Sequence, residues 1–88
     1  MFLRKTRRLT LDDYDINESI DLSGLNCPLP ILKTKKKLST MSSGERLLVV
    51  ATDPGSYDDF QYFCSHSGHK LISREKKDEM YNFLIERE

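Results

Sequence analysis

The chain has 88 residues, 38% of them hydrophobic and 32% charged, and its 14 basic and 14 acidic side chains cancel. A chain this short forms one domain with one modest core, burying only about 60–65% of its unfolded surface. Zero net charge excludes any argument from overall charge for nucleic acid or anionic membrane, and the longest apolar run, Leu47-Leu48-Val49-Val50-Ala51, is far too short to span a bilayer. The cancellation hides an asymmetry. Residues 1–51 carry 9 basic and 6 acidic side chains and residues 52–88 carry 5 and 8, so one face is expected to be basic. No apolar segment follows the N-terminal arginines, which reads as a cytoplasmic chain, where Cys27 and Cys64 are expected as free thiols rather than a structural bridge.

Residues 1–17 join a basic cluster (Arg4, Lys5, Arg7, Arg8) to an acidic one (Asp12, Asp13, Asp15) and read as a mobile extension or, from the alternation over Arg8 to Asp12, as an added edge strand. The domain proper is expected over 18–88. A first strand around Ile20-Asp21-Leu22 leads into Cys27-Pro28-Leu29-Pro30 and a lysine-rich helix. Proline suits a first helical turn because its φ is preset and its missing N–H has no intrahelical partner there, so Cys27 reads as the N-cap. A thiol so placed faces unpaired amides and the positive end of the helix dipole, which favours the thiolate. Ile31, Thr34, Leu38 and Met41 give the buried face of this helix, with Gly44 as its left-handed stop and Lys33, Lys35, Lys36 and Lys37 on the remainder.

Glu45 to Thr52 reads as a mid-sheet strand, because its apolar centre lacks alternation. Asp53-Pro54-Gly55 turns the chain, and Ser56 with Asp59 resembles a capping box for a second helix. Tyr57, Phe60, Phe63 and Cys64 form its buried stripe, which assigns Cys64 to packing, and Gly68 ends it. Lys70 to Lys76 is expected as a strand with Leu71, Ser73 and Glu75 on one face, followed by a tight hairpin at Lys77-Asp78-Glu79. Tyr81, Phe83 and Ile85 alternate in a last strand. The order β-α-β-α-β-β predicts an α/β two-layer sandwich, a four-stranded mixed sheet with two helices on one face and a partly wet opposite face bearing Glu75 and Asn82.

The segment Gly24-Leu25-Asn26-Cys27-Pro28-Leu29-Pro30, with Ser43-Gly44-Glu45 ahead of the Leu/Val strand and Asp53-Pro54 after it, resembles the TusA/SirA family of small sulfur-carrier proteins over about residues 18–88. The resemblance implies a sulfurtransferase in which Cys27 takes sulfur as a persulfide from a cysteine desulfurase and relays it to an acceptor thiol on a downstream protein, toward tRNA thiolation or a related pathway. It implies supporting roles for Pro28 and Pro30, which stiffen the helix start, and a supporting or docking role for Asp53, which as a turn aspartate has an equally good local reason to be there. Leu29 stands where some relatives have an acidic residue, and Asp58 where some have a basic one, so the choice of partner is open. A monomer with no cofactor and no metal is expected; Cys64, His66 and His69 lack the spacing of a zinc site.

Two other classes remain. A thiol redox or regulatory protein would use Cys64 to resolve Cys27, and a non-catalytic RNA- or protein-binding module would not need the thiol. The lysines at 33, 35, 36 and 37 lack interleaved aromatic residues, so they read as a solvated face or as a basic rim steering Cys27 to an acidic protein rather than as a direct nucleic-acid site.

Overall fold

A computed structural model describes residues 15–88; residues 1–14, where most of the expected N-terminal extension falls, lie outside the described residues. The elements are β1 (Glu18–Leu22), α1 (Leu29–Leu38), β2 (Arg46–Ala51), α2 (Ser56–Ser67), β3 (Lys70–Lys77) and β4 (Met80–Glu86), the order expected from the sequence. They form one four-stranded sheet, β1-β2-β4-β3. β1 runs parallel to β2, while β4 pairs antiparallel with both β2 and β3. Strand β4 thus enters between β2 and β3, and β1, β2 and β3 all point one way. The loops leaving β1 and β2 therefore open at the same end of the sheet, which sets the Cys27 loop beside the Asp53 turn.

Pairing register decides the two faces, since successive side chains alternate. Leu22 and Ala51, Val49 and Phe83, and Leu47 and Ile85 are register partners on the helix side, where all six are buried. Leu38 of α1 and Phe60 and Cys64 of α2 close this core from above. Phe60 and Phe83 are fully buried and stack with ring centroids 4.4 Å apart, a geometry worth about 0.5–1.5 kcal/mol beyond the area they bury. Leu84 and Asn82 share the opposite face with Leu48 and Val50. No helix among the described residues is long and apolar enough to cross a membrane.

Three local expectations are corrected. Helix α1 stops at Leu38, well before Gly44. The Ser39 and Thr40 hydroxyls donate to the carbonyls of Lys36 (2.6 Å) and Lys37 (2.7 Å), and Arg87 Nε donates to Leu38 O (2.8 Å); with the tighter backbone bonds from Thr40 N–H to Lys37 O and Met41 N–H to Leu38 O, both 3.0 Å, these satisfy the C-terminal acceptors without another α-helical turn. Met41 reaches the core from the turn beyond, and Gly44, at φ +88°, serves the entry to β2. Ser56 is the first residue of α2, not its cap; its Oγ donates to Asp53 O at 2.7 Å, and Gly55 occupies the cap position without a side-chain cap bond. The third correction lies in β3, where the register shifts between Leu71 and Ser73. One extra residue reverses the facing of everything after it. Leu71 lies on the helix side, parted from Ser73 and Glu75, which share the opposite face with Leu84 and Asn82, the face expected for Glu75 and Asn82, and Arg74 comes onto the helix side opposite Phe83. There its guanidinium sits 4.0 Å from the Tyr57 ring centre and donates to Tyr57 O at 2.9 Å. The remaining ends agree with expectation: Gly68 stops α2 at φ +93°, and Asp78 takes φ 58° in a two-residue hairpin turn.

Candidate functional site

Cys27 stands on the loop from β1 to α1 with its side chain exposed. Two bonds tie that loop to the turn after β2: Gly24 N–H donates to Thr52 Oγ1 (2.8 Å), and Cys27 N–H donates to Asp53 Oδ2 (3.1 Å). The other Asp53 oxygen accepts Gly55 N–H at 3.3 Å, and its carbonyl accepts Ser56 N–H at 2.9 Å. Asp53 is thus a clamp between the cysteine loop and the start of α2, a bond made across 26 residues of sequence. At the start of the same loop, Ser23 donates its hydroxyl (2.6 Å) and its backbone N–H (3.0 Å) to Asp21 Oδ1, which holds the Asp21 carboxyl below its usual range.

The expected cap geometry needs correction. The N-cap of α1 is Pro28, with φ −100° and ψ 12°, and it makes no side-chain cap bond; Cys27 lies one residue outside the helix. Pro30, rather than Pro28, occupies the first turn and is buried, while Pro28 is exposed and joined to Cys27 by a cis peptide. Leu29 N–H is engaged by Asn26 O at 2.9 Å, and Pro30 has no N–H to offer. The first turn therefore presents fewer open amides to the thiol than a capping cysteine would meet, and the charged group bonded to the cysteine's own backbone is the Asp53 carboxylate. The sequence located the cysteine at the helix mouth but misjudged its register by one residue.

Beside Cys27 a groove of about 570 Å³ runs between the helices. Pro28, Ile31 and Lys35 supply the α1 wall, and Asp59, Tyr62 and His66 supply much of the α2 wall. His66 Nδ1 lies 2.9 Å from Tyr62 O; a carbonyl only accepts, so Nδ1 carries the proton in that bond. The His66 and Tyr62 rings stack at 3.9 Å. No local pattern announced this wall, because its members are brought to Cys27 by the packing of α2 against α1.

The lysines do not act as one group. Lys35 enters the Cys27 groove, whereas Lys33, Lys36 and Lys37 line a second groove of about 450 Å³ over β1, and Lys37 pairs with Glu18 at 3.1 Å. Leu29 is exposed, and Asp58 is exposed beside Arg74 Nη1 at 3.4 Å. Cys64 is buried, faces a separate cleft against β3, and burial pushes its thiol up to about 11, so it is poorly suited to the thiolate role a resolving cysteine needs. Both cysteines are free. His69 turns from α2 toward the C-terminal residues, where Nδ1 accepts Glu88 N–H at 3.0 Å; among the described residues no three His, Cys, Asp or Glu side chains gather in a metal-binding group.

Fold and site together define a small two-layer α/β domain built to hold one thiol in the open at the mouth of a Pro-x-Pro helix start. A family model described as sulfurtransferase TusA matches residues 18–87. The chain is 48% identical over 73 residues to a sulfur carrier protein TusA of Allochromatium vinosum, covering 83% of this chain and 96% of that one. It is 41% identical over 70 residues to a putative sulfur carrier protein of Neisseria meningitidis, covering 80% of this chain and 95% of the relative. A SirA-like protein from Desulfitobacterium hafniense, solved by crystallography, shares the fold with a TM-score of 0.71 at 24% identity, over 80% of this chain and 96% of the other. The chain belongs to the TusA family.

Proposed function

We propose that this protein is a sulfur carrier that takes a sulfane sulfur onto Cys27 from a cysteine desulfurase and hands it to an acceptor thiol, in a cytoplasmic route toward tRNA thiolation or a related sulfur pathway. The observation that carries the reading is the exposed Cys27 thiol, held by its own backbone N–H on Asp53 and open to a groove large enough for a partner segment.

The chemistry balances without any change in total redox state. On loading, the Cys27 thiolate attacks the terminal sulfur of a donor persulfide; the new S–S bond forms at Cys27 while the donor S–S bond breaks, and the donor cysteine leaves as a thiolate. On unloading, an acceptor thiolate attacks the terminal sulfur of the Cys27 persulfide and Cys27 becomes the leaving thiolate. Both steps need a sulfur that is reachable from solvent and restrained in direction. Pro28 and Pro30 restrict the backbone on either side of Leu29, and Asp53 fixes the loop against the end of β2. Lys35, in the same groove, is a side chain able to offset negative charge at the exchanging sulfurs.

Incubation with a cysteine desulfurase and cysteine, followed by intact-protein and peptide mass spectrometry, should place one added sulfur on the peptide containing Cys27. Equal sulfur uptake by Cys27→Ser rejects the reading. Size-exclusion chromatography with light scattering is expected to show a monomer before and after loading.

A further inference from the structure

The surface around Cys27 is unusual for a charged 88-residue chain. Leu29 and Leu32 are 44% and 52% exposed, and Tyr62, on the facing wall of the groove, is 65% exposed. At 3.6 residues per turn, Leu29 and Leu32 are neighbours on one strip of α1 with Lys36, and this strip separates the Cys27 groove from the basic groove over β1. Leu29 lies two residues from the thiol. Lys33, Lys35 and Lys36 border the ridge, and among the described residues none of these three is in an ion pair.

Resting on the carrier reading, we infer that the Leu29–Leu32 ridge is the specificity element of the site, and that it docks a protein whose sulfur-bearing segment is surrounded by an apolar patch with a carboxylate rim. Exposed leucines on a helix face gain from being covered only by another apolar surface, and a small thiol entering the Cys27 groove reaches neither of them. The flanking lysines set the complementary sign: an acidic rim is drawn in and a basic one repelled. Nucleic acid fits less well. Leucine offers bases no stacking platform, and Tyr62, the exposed aromatic ring of the groove, is already stacked on His66. Asp59 in the groove wall is an acidic group that the partner's rim must avoid, which confines the attraction to the α1 side.

The test compares two sulfur donors on the intact chain and on L29E/L32E, a pair of exposed helix positions where glutamate retains helix propensity. Inorganic polysulfide serves as the small donor and a persulfide-loaded cysteine desulfurase as the protein donor. Charge-neutral L29A/L32A should load from polysulfide at the wild-type rate and lose several-fold in loading from the desulfurase, while L29E/L32E, whose carboxylates also repel anionic polysulfide, should lose on the order of tenfold or more from the desulfurase and clearly less from polysulfide. Equal desulfurase loading in wild type and L29E/L32E overturns the inference and leaves the carrier reading intact; so does a loss of equal size with both donors. Wild-type loading by polysulfide but not by the desulfurase overturns the inference and, with it, the desulfurase step of the carrier reading. If neither donor loads Cys27, the carrier reading and the inference fall together. Retention of tRNA by wild type and L29E/L32E alike, abolished by K33E/K36E, assigns the surface to nucleic acid and overturns it.

Discussion

Asp53→Ala is the perturbation that most directly probes how the fold holds the site. The half-buried carboxylate accepts two backbone N–H groups, from Cys27 at 3.1 Å and Gly55 at 3.3 Å. Hydrogen bonds to a charged acceptor contribute about 1.5–3 kcal/mol each when well buried. Here solvent reaches the acceptor and one bond is long, so about 1–2 kcal/mol for the pair is the appropriate scale. For a domain of this size each kcal/mol moves the melting midpoint by about 4–8 °C, which gives a fall of about 5–15 °C by calorimetry or circular dichroism. Because the lost anchor belongs to the cysteine loop itself, Cys27 should load more slowly from polysulfide and desulfurase alike, unlike the donor-selective loss expected for the Leu29–Leu32 ridge. Asp53→Asn retains one amide oxygen for one of the two donors and should recover roughly half the stability. An Asp53→Ala protein with the wild-type midpoint and wild-type loading from both donors refutes the clamp, since it leaves no role for the bond that joins the two loops.

Other outcomes follow from the same structure. With the Cys64 thiol pushed up to about 11 by burial, iodoacetamide at pH 8 should label Cys27 and spare Cys64 in the folded protein, with both labelled in denaturant; equal labelling of the native chain contradicts the buried placement. Burial and the nearby Arg87 lower the His69 value, with Glu88 opposing them, so the fold favours the neutral ring that accepts Glu88 N–H. That contribution is in place above the ordinary histidine value of about 6.5 and disappears as pH drops through the lowered folded value, so the difference in denaturation midpoint between wild type and His69→Gln should shrink below pH 6. A difference independent of pH from 7.5 to 5 contradicts it. Phe60→Ala removes a fully buried ring stacked on Phe83 and should cost about 3–5 kcal/mol, leaving a marginal domain by urea denaturation; a cost under about 1 kcal/mol shows the core to be packed otherwise.

Wherever neighbouring residues carry their own instruction, the sequence was sufficient. The alternation of Tyr81, Phe83 and Ile85 specified β4 and its buried face, the Tyr57–Phe60–Phe63–Cys64 stripe specified α2, and Gly68 specified its end through a left-handed conformation that costs glycine little. The thiol of Cys27 beside a Pro-x-Pro helix start was legible for the same reason. What the sequence misjudged depended on competition between local and distant partners. The end of α1 at Leu38 is only partly local: the Ser39 and Thr40 hydroxyls bond back to Lys36 and Lys37, but Leu38 O is also held by Arg87, 49 residues away.

Tertiary structure alone decided the rest. The bulge in β3 arises from pairing with β4 and puts Leu71 on the face opposite to Ser73 and Glu75; a period-two pattern has no way to mark one extra residue. The Asp53 clamp and the groove wall of Tyr62 and His66 exist because β1 and β2 run parallel and α2 packs on α1, placing three separate segments around one sulfur. The sequence by itself determined where the candidate sulfur stands in the chain and the elements that carry it, since side-chain chemistry and backbone propensity are properties of a residue and its neighbours. Which residues surround that atom was fixed only on folding, when sheet order brought distant segments within hydrogen-bonding range.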